Sequence, residues 1–535
     1  MPPARMGGET LGAFLDDVTA REPERDAVGH ATRDRVVARM TRAELRAASR
    51  LAAKKLVGLG AGKGTRIGFL CPNRLEWLPI ALGALRIGAV LVPFSTLWKR
   101  EEIEYALRHG DVQLLITVPG FLKHDYVAAL SAIAPELASS APGALRAPAA
   151  PALRRVVLLD GDATGMERWG DVPAEVGDAL LDALEERVSP TDLATVFFTS
   201  GTTAQAKAVV HAHAALALSA RRIAECLGTT PGDAWWGHMP LFWSGGFIIG
   251  ALQTLAGGGR IVLQEQVDAG SALALLEAEG CTIMAGWHQA APLMEHPEWG
   301  RRTIKLRKGS NHPLADRLMG PDHVTVGMYG MSETATCVAC ARWDDPPAVR
   351  RETFGRPLAG MELRIVDPET GRPVAPGESG EIFVKGPTLM EGYYRVPRSE
   401  TFDRDGFFKT GDLGYLDDAG CLHFATRLKD VIKTAGVNVA AVEVEEALAK
   451  HPGVKAAHVV GVPDAVRGEN VAAFVVLEDG AVADPDALQA FCKTTLASYK
   501  VPRHVFVIAE ADVPRTGTGK IEKPALKKMA QARLA

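Results

Sequence analysis

From Thr41 to Val92 the apolar positions alternate between two spacings. Arg42 to Leu59 repeats them at the helical interval and predicts an amphipathic helix ending at Gly60. Arg66-Ile-Gly-Phe-Leu70 predicts a strand. Glu76 to Ile87 predicts a second helix, closed by Gly88, and Ala89-Val-Leu-Val92 a further strand. Helices alternating with strands imply a parallel sheet with helices covering it. Ala138 to Arg154 interrupts the pattern with Ala, Pro and Ser and is expected to be a surface excursion.

The pattern changes after about Glu362. Leu363-Arg-Ile-Val366, Gly380-Glu-Ile-Phe-Val384 and Gly414-Tyr-Leu416 read as short strands between Gly, Pro and Asp turns. From Val431 an α+β tail is predicted, with a helix at Ala441–Lys450, strands at Val454–Val460 and Val471–Val476, and a helix near Ala487–Leu496. The expected fold is α/β. A large N-terminal domain of stacked α/β sheet subdomains plus a small β-rich subdomain occupies residues 1–428, and a smaller α+β domain occupies residues 429–535. At 535 residues the chain exceeds one ordinary core, which agrees with a division into domains.

Sixty basic residues against 64 acidic ones leave a net charge of -4, which gives no global attraction to nucleic acid. The basic cluster Lys520, Lys523, Lys527 and Lys528 reads as a solvated helix face. Seven scattered cysteines argue against a disulfide framework and fit a reducing compartment. Cys337-Val-Ala-Cys340 lacks the second ligand pair that a zinc site needs. The N-terminal residues carry no apolar signal core, and Ile248 to Leu255 is too short to span a bilayer. The expected location is cytoplasmic, with no membrane span.

Chemistry concentrates in five segments. Ala194-Thr-Val-Phe-Phe198 is β-prone and runs into Thr199-Ser-Gly-Thr-Thr-Ala-Gln-Ala-Lys207. Thr199, Ser200, Thr202 and Thr203 offer hydroxyl donors, Gly201 permits close backbone approach, and Lys207 adds a positive charge. This composition suits a polyphosphate, though a plain turn shares it, and the spacing is not that of a Walker A loop. Tyr329-Gly-Met-Ser-Glu-Thr334 sets a carboxylate beside hydroxyls, suited to magnesium on phosphate oxygens. Thr410-Gly-Asp412 offers an acid after a glycine turn, suited to a ribose diol. Arg427 to Gly436 carries dense charge into an apolar strand, and Pro514-Arg-Thr-Gly-Thr-Gly-Lys520 is a glycine-flexed loop ending in lysine. Each segment alone has an ordinary alternative, a turn or a surface lysine. Their joint occurrence in this order sets the reading.

Together they resemble the adenylate-forming superfamily of acyl-CoA synthetases, carrier-protein adenylation domains and luciferases, nearest to the AMP-forming acyl-CoA synthetases. The resemblance covers nearly the whole chain. It implies that Thr199 to Lys207 is the phosphate loop, and that Ser332, where relatives commonly have Thr, contacts the α-phosphate. Glu333 then matches the magnesium-linked glutamate, Asp412 the ribose-binding aspartate and Arg427 its companion. Tyr329 and Gly309-Ser-Asn311 border the nucleotide and acyl group. Lys429 falls at the hinge of a mobile tail domain, Gly436 lines the thiol tunnel, and Lys520 is the lysine essential for adenylation. Ala204, Ala206 and Ala208 stand where the family's loop has Gly, Pro and Gly, and Ala435 replaces a frequent glycine.

The resemblance implies ATP, Mg2+ and CoA as cofactors and a small carboxylic acid as substrate. The acid becomes acyl-AMP with release of pyrophosphate, then a CoA thioester. Transfer to a carrier-protein thiol, or to an amine or other nucleophile, is the alternative. Trp235 to Phe247 resembles the acyl-site wall, including Trp243 and Gly245. Trp243 stands where amino-acid-activating relatives have Asp, so an α-amino acid is not expected; a core role for this Trp is the alternative. Gly330 occupies the position at which acetate-type enzymes place a ring, implying a deep pocket. Trp287 and His288 are expected nearby, although a lone His is more often structural. These residues suggest a medium or large apolar acid with one or two polar groups. Oligomeric state stays open.

Overall fold

The computed structural model describes residues 8–199, 206–434, 437–464, 467–494, 496–516 and 520–534. The chain divides into two compact units, Met1–Glu362 with Val384–Phe408, and Leu363–Phe383 with Lys409–Ala535. Lys429 lies inside the second of these units. That unit also takes in the hairpin in which Asp412 to Leu416 pairs antiparallel with Leu422 to Arg427.

The first unit is built on two large sheets. The eight-stranded one runs, in spatial order, Gly392–Tyr393, Lys207–Ala212, Leu193–Thr199, Val90–Pro93, Arg66–Leu70, Leu114–Thr117, Arg155–Leu158 and Glu167–Arg168. From Leu193–Thr199 onward its pairings are parallel. The other runs Val324–Val326, Lys308–Ser310, Ile283–Met284, Ala234–Gly237, Arg260–Gln264, Asp26–Ala31 and Val36–Thr41, with only the last pair antiparallel. Parallel strands buried on both faces account for the near-continuous apolar runs in the sequence.

The predicted helix after Thr41 spans Arg42–Gly58, and its start has a local cause. Thr41 accepts from the Glu44 amide while the Glu44 carboxylate accepts from the Thr41 amide, a reciprocal capping box. The second helix spans Trp77–Arg86 and is buried along its whole length. The short apolar run after Trp243 forms a π-helix, Gly245–Leu252, continued by an α-turn at Gln253–Ala256. Among the described residues no helix is long and apolar enough to cross a membrane. All seven cysteines are buried thiols.

In the second unit, Gly468–Leu477 lies between Val454–Asp464 and His504–Val507, antiparallel to the first and parallel to the second. Ala441–Ala449 and Pro485–Lys493 supply helical cover, packing Val444, Leu448, Leu488 and Cys492 into one apolar cluster. Both long strands extend past their predicted ends, because cross-strand pairing continues through Pro463 and Gly468 where propensity alone would stop.

Candidate active site

The hairpin that frames the hydroxyl-rich loop is regular up to both of its ends. Leu193–Thr199 and Lys207–Ala212 pair antiparallel, with Thr199 opposite Lys207. Ser200, Gly201, Thr202, Thr203 and Ala204 lie outside the described residues, as do Ala435 and Gly436. The returning strand explains one departure from the family's loop. Ala208 is opposite Phe198 in the ladder and fully buried, so nothing in its backbone calls for glycine. Ala206 gains a tether instead, since the Tyr105 hydroxyl donates to its carbonyl at 3.1 Å.

Ser332, Glu333 and Thr334 form one turn of 3-10 helix beside this hairpin. His211, buried on the returning strand, has Nε2 2.6 Å from the Ser332 carbonyl, which places the ring's proton on Nε2. The Ser332 hydroxyl lies 3.0 Å from that of Ser244, at the start of the π-helix. Glu333 Oε1 accepts from the Tyr393 hydroxyl at 2.7 Å, and its main-chain carbonyl accepts from the Met390 amide at 2.8 Å. Burial, then the Glu333 charge and hydrogen bond, push the Tyr393 pKa well above that of an ordinary phenol. Lys207 Nζ stands 4.5 Å over the Tyr393 ring. Tyr393 thus ties the end of the hairpin to the Glu333 turn.

The turn is strained on its far side. Ala335 and Thr336 have φ of 46° and 77°, two consecutive left-handed residues that are not glycine. Such residues cost about 1–3 kcal/mol each and persist where the surroundings hold them. Here Ser219 donates to the Ala335 carbonyl at 2.6 Å, and the Thr336 amide donates to Met331. Gly330 has a cause in the same turn. A Cβ there would run into the carbonyl oxygen of Thr336, so this glycine follows from backbone approach. Pocket depth is not needed to explain it.

Gly309 and Ser310 end a strand of the seven-stranded sheet. A side chain at Gly309 would strike the Met284 carbonyl oxygen, and φ there is 156°. Asn311 is held by three groups: its amide donates to Val326, its side-chain nitrogen to the Arg351 carbonyl, and its side-chain oxygen accepts from Thr325. Trp287 donates its indole N–H to the Ser310 carbonyl at 3.1 Å and stacks on His312, ring centres 4.6 Å apart. His288 is exposed, 5.1 Å from the ring of buried His238. Burial, with His288 adding to it, pulls the His238 pKa down to about 3. Trp243 is half-buried, edge-on to Phe242. Met239 connects the walls, approaching both Gly245 and Gly286.

Asn73 is a further positioning residue, and no motif marks it. Its side chain donates to the carbonyls of Gly237 and Met239 at 2.8 and 3.0 Å and accepts from the Leu241 amide at 2.9 Å. It thereby fixes the segment leading to Trp243. Asn73 follows a strand end in Cys71-Pro-Asn, a context shared by many loops, so sequence alone gives it no functional signal. His211, Ser244 and Tyr393 were likewise missed, since each is a single polar group inside an apolar or aromatic stretch.

In the second unit, Asp412 and Arg427 are cross-strand partners, with Arg427 Nε 3.1 Å from Asp412 Oδ1. Asp412 is buried and Arg427 half exposed, so the pair offers a carboxylate at the base and a cation at the edge. Gly411, with φ of 72°, makes the bend, and the Thr410 hydroxyl donates to Ile382 and accepts from the Asp412 amide. Leu428 to Asp430 form a 3-10 turn that includes the backbone of Lys429. Lys520 is exposed, and its own amide donates to the Thr516 hydroxyl at 3.2 Å.

The first unit therefore gathers Lys207, Ser332, Glu333, His211, Ser244 and Tyr393 on one rim, and the second carries Asp412, Arg427 and Lys520. Residues 15–394 match the family model of the AMP-binding enzymes, and residues 443–520 that of the AMP-binding enzyme C-terminal domain. The chain is 30% identical to the acyl-CoA ligase SID4 of Ajellomyces capsulatus, over 98% of this chain and 91% of that one. It is 33% identical to the 3-[(3aS,4S,7aS)-7a-methyl-1,5-dioxo-octahydro-1H-inden-4-yl]propanoyl:CoA ligase of Rhodococcus jostii, over 87% and 88% of the two chains. ATP-bound MatB from Rhodopseudomonas palustris is similar in structure, with a TM-score of 0.80 and 25% identity over 98% of this chain and 100% of that one. Two family models in the expected order and relatives matched over most of their length lead to one conclusion: the chain belongs to the AMP-binding enzymes, the adenylate-forming family.

Proposed function

We propose that the protein is an AMP-forming acid–thiol ligase. It joins a carboxylic acid to AMP, releasing pyrophosphate, and then passes the acyl group to the thiol of CoA. The observation that carries this reading is the rim on which Ser332, Glu333 and Lys207 are brought together through His211 and Tyr393.

The first step makes a carboxylate attack the α-phosphorus of ATP, so anion must approach anion. Positive charge and hydrogen-bond donors that act most strongly at the transition state are what such a step needs. Ser332 offers a hydroxyl to the α-phosphate, steadied by Ser244. Lys207 offers a cation at the mouth of the loop, and Lys520 one that bridges the attacking carboxylate and the α-phosphate. Asp412 accepts from the ribose hydroxyls while Arg427 balances its charge. Glu333 is the residue that would hold magnesium: one carboxylate plus phosphate oxygens and water is an ordinary environment for that ion, which neutralises phosphate charge when bound. Rotation of the tail about Lys429 would withdraw Lys520 and present Gly436 for the thiol step.

The acid is read as apolar and of medium or large size, bordered by Trp243, Gly245, Trp287 and His288. His288 is the polar group of that wall; it keeps contact with solvent, and the partial desolvation its neighbours impose shifts its pKa down. The ring-bearing keto acid in the name of the Rhodococcus jostii relative is of this class. Pyrophosphate release across a panel of acids, with and without CoA, tests the assignment. Release with an apolar acid and acyl-CoA formation on adding CoA is the expected result. Release without any thioester would overturn the second step, and absence of release with every acid would overturn the first.

A further inference from the structure

Tyr393 has no assigned part in the reaction, yet it holds a fixed position between two groups that do. Its backbone is locked by strand pairing: Gly392 and Tyr393 lie opposite Val210 and Val209 on the strand that begins at Lys207. Its ring is half-buried, covered on one side by Lys207 at 4.5 Å and met at an edge by Phe408, ring centres 6.4 Å apart. Among the described residues no carboxylate pairs with Lys207, so the ring is what receives its charge. With ring and backbone fixed, the hydroxyl has one reach, and Glu333 Oε1 lies 2.7 Å away at its end. A second tether holds the same residue from behind, the Met390 amide on the Glu333 carbonyl.

The geometry has a direct chemical consequence. A carboxylate that accepts a hydrogen bond on one oxygen is left with the other for a cation, in one orientation. Outer-sphere donors of this kind orient the ligands that hold a metal ion and shape its affinity. We propose that Tyr393 is the positioning residue of the magnesium carboxylate: its hydroxyl fixes the rotation of Glu333 and leaves Oε2 for the ion that accompanies ATP. This rests on the reading of Glu333 under the proposed function.

The test reads metal binding rather than turnover. Mn2+ serves as the probe, titrated by electron paramagnetic resonance into the full chain with ATP and no acid. Tyr393→Phe keeps the ring, its packing and the seat of Lys207 while removing the hydroxyl. The expected result is a loss of Mn2+ affinity of roughly 10-fold or more. In a Glu333→Gln background the same substitution should add nothing further. Glu333→Asp, which withdraws the carboxylate from the hydroxyl with Tyr393 intact, should reproduce the loss and gives a second route if Tyr393→Phe folds poorly. Unchanged Mn2+ affinity in Tyr393→Phe, or a loss that adds fully to that of Glu333→Gln, overturns the proposal. Failure of the unsubstituted chain to bind ATP would instead strike the proposed function itself.

Discussion

In the first unit Ser332 and Glu333 are each held by groups from two separate elements. Ser332 is met by His211 from a strand and by Ser244 from the π-helix, and Glu333 by Tyr393 and the Met390 amide. In the second unit Lys520 stands exposed, with its backbone steadied through Thr516 on the same loop. The contrast separates two tasks. On the proposed function, the groups that sit still relative to phosphate are held by anchors from the sheet and the π-helix. The cation that, on the same proposal, arrives for one step and leaves for the next is Lys520, which sits on a short local turn. Precision in one region and reach in the other are different uses of the same polar chemistry.

The largest effect expected is at the reaching end. Lys520→Ala should slow adenylate formation roughly 100- to 1000-fold, by comparison with loss of one charge-stabilising donor, yet leave thioester formation from supplied acyl-AMP and CoA intact. Pyrophosphate release and single-turnover thioester assays read the two halves, and equal losses in both would erase the contrast. Next comes an anchor of the first unit. Asn73→Ala removes three hydrogen bonds from a buried segment, and a stability loss of about 2–3 kcal/mol should appear in the urea midpoint, with a raised KM for the acid.

A smaller effect should follow pH. His213 is buried and its Nδ1 accepts from the Leu11 amide, so the native ring is neutral, and burial lowers its pKa to about 4. The unfolded chain takes up this proton near pH 6.5. Stability from this group is therefore full above about pH 6.5 and is lost as pH falls toward the folded value. By pH 5 the loss should be on the order of 2 kcal/mol, read as a drop in urea midpoint that His213→Leu flattens. The smallest effect concerns the proposed hinge. Lys429→Pro fixes φ in the Leu428–Asp430 turn and should slow the thioester half more than the first, by roughly tenfold, about 1.4 kcal/mol of barrier. Normal overall turnover would move the hinge elsewhere.

The helices and strands of the parallel sheet were legible in the sequence because each is a local pattern. The Arg42 helix carries its capping box in four residues, and the Val90–Pro93 strand is an unbroken apolar run. Strands whose length depends on a distant partner were read short, as Val454–Asp464 was. Motif residues such as Ser332, Glu333, Asp412 and Lys520 stood out because several chemical types recur in a fixed order. Their supports did not. Asn73 bonds to residues 164 to 168 positions away, and His211 to one 121 away, separations that no local pattern encodes. Gly330 has a second explanation that the sequence did not show: the carbonyl of Thr336 already stands where a Cβ would go.

Trp287 has a consequence for how ligands would report on one another. Its indole proton is committed to the Ser310 carbonyl, so the ring is fastened to a strand end of the seven-stranded sheet. If the acid borders this ring and the purine borders Ser310, as the proposed function has it, an acid that tilts the ring would drag on Ser310 and a purine that shifts Ser310 would turn the ring. Screening acids one at a time at a single ATP concentration would then confuse poor fit with poor communication, and only a two-dimensional titration would separate them.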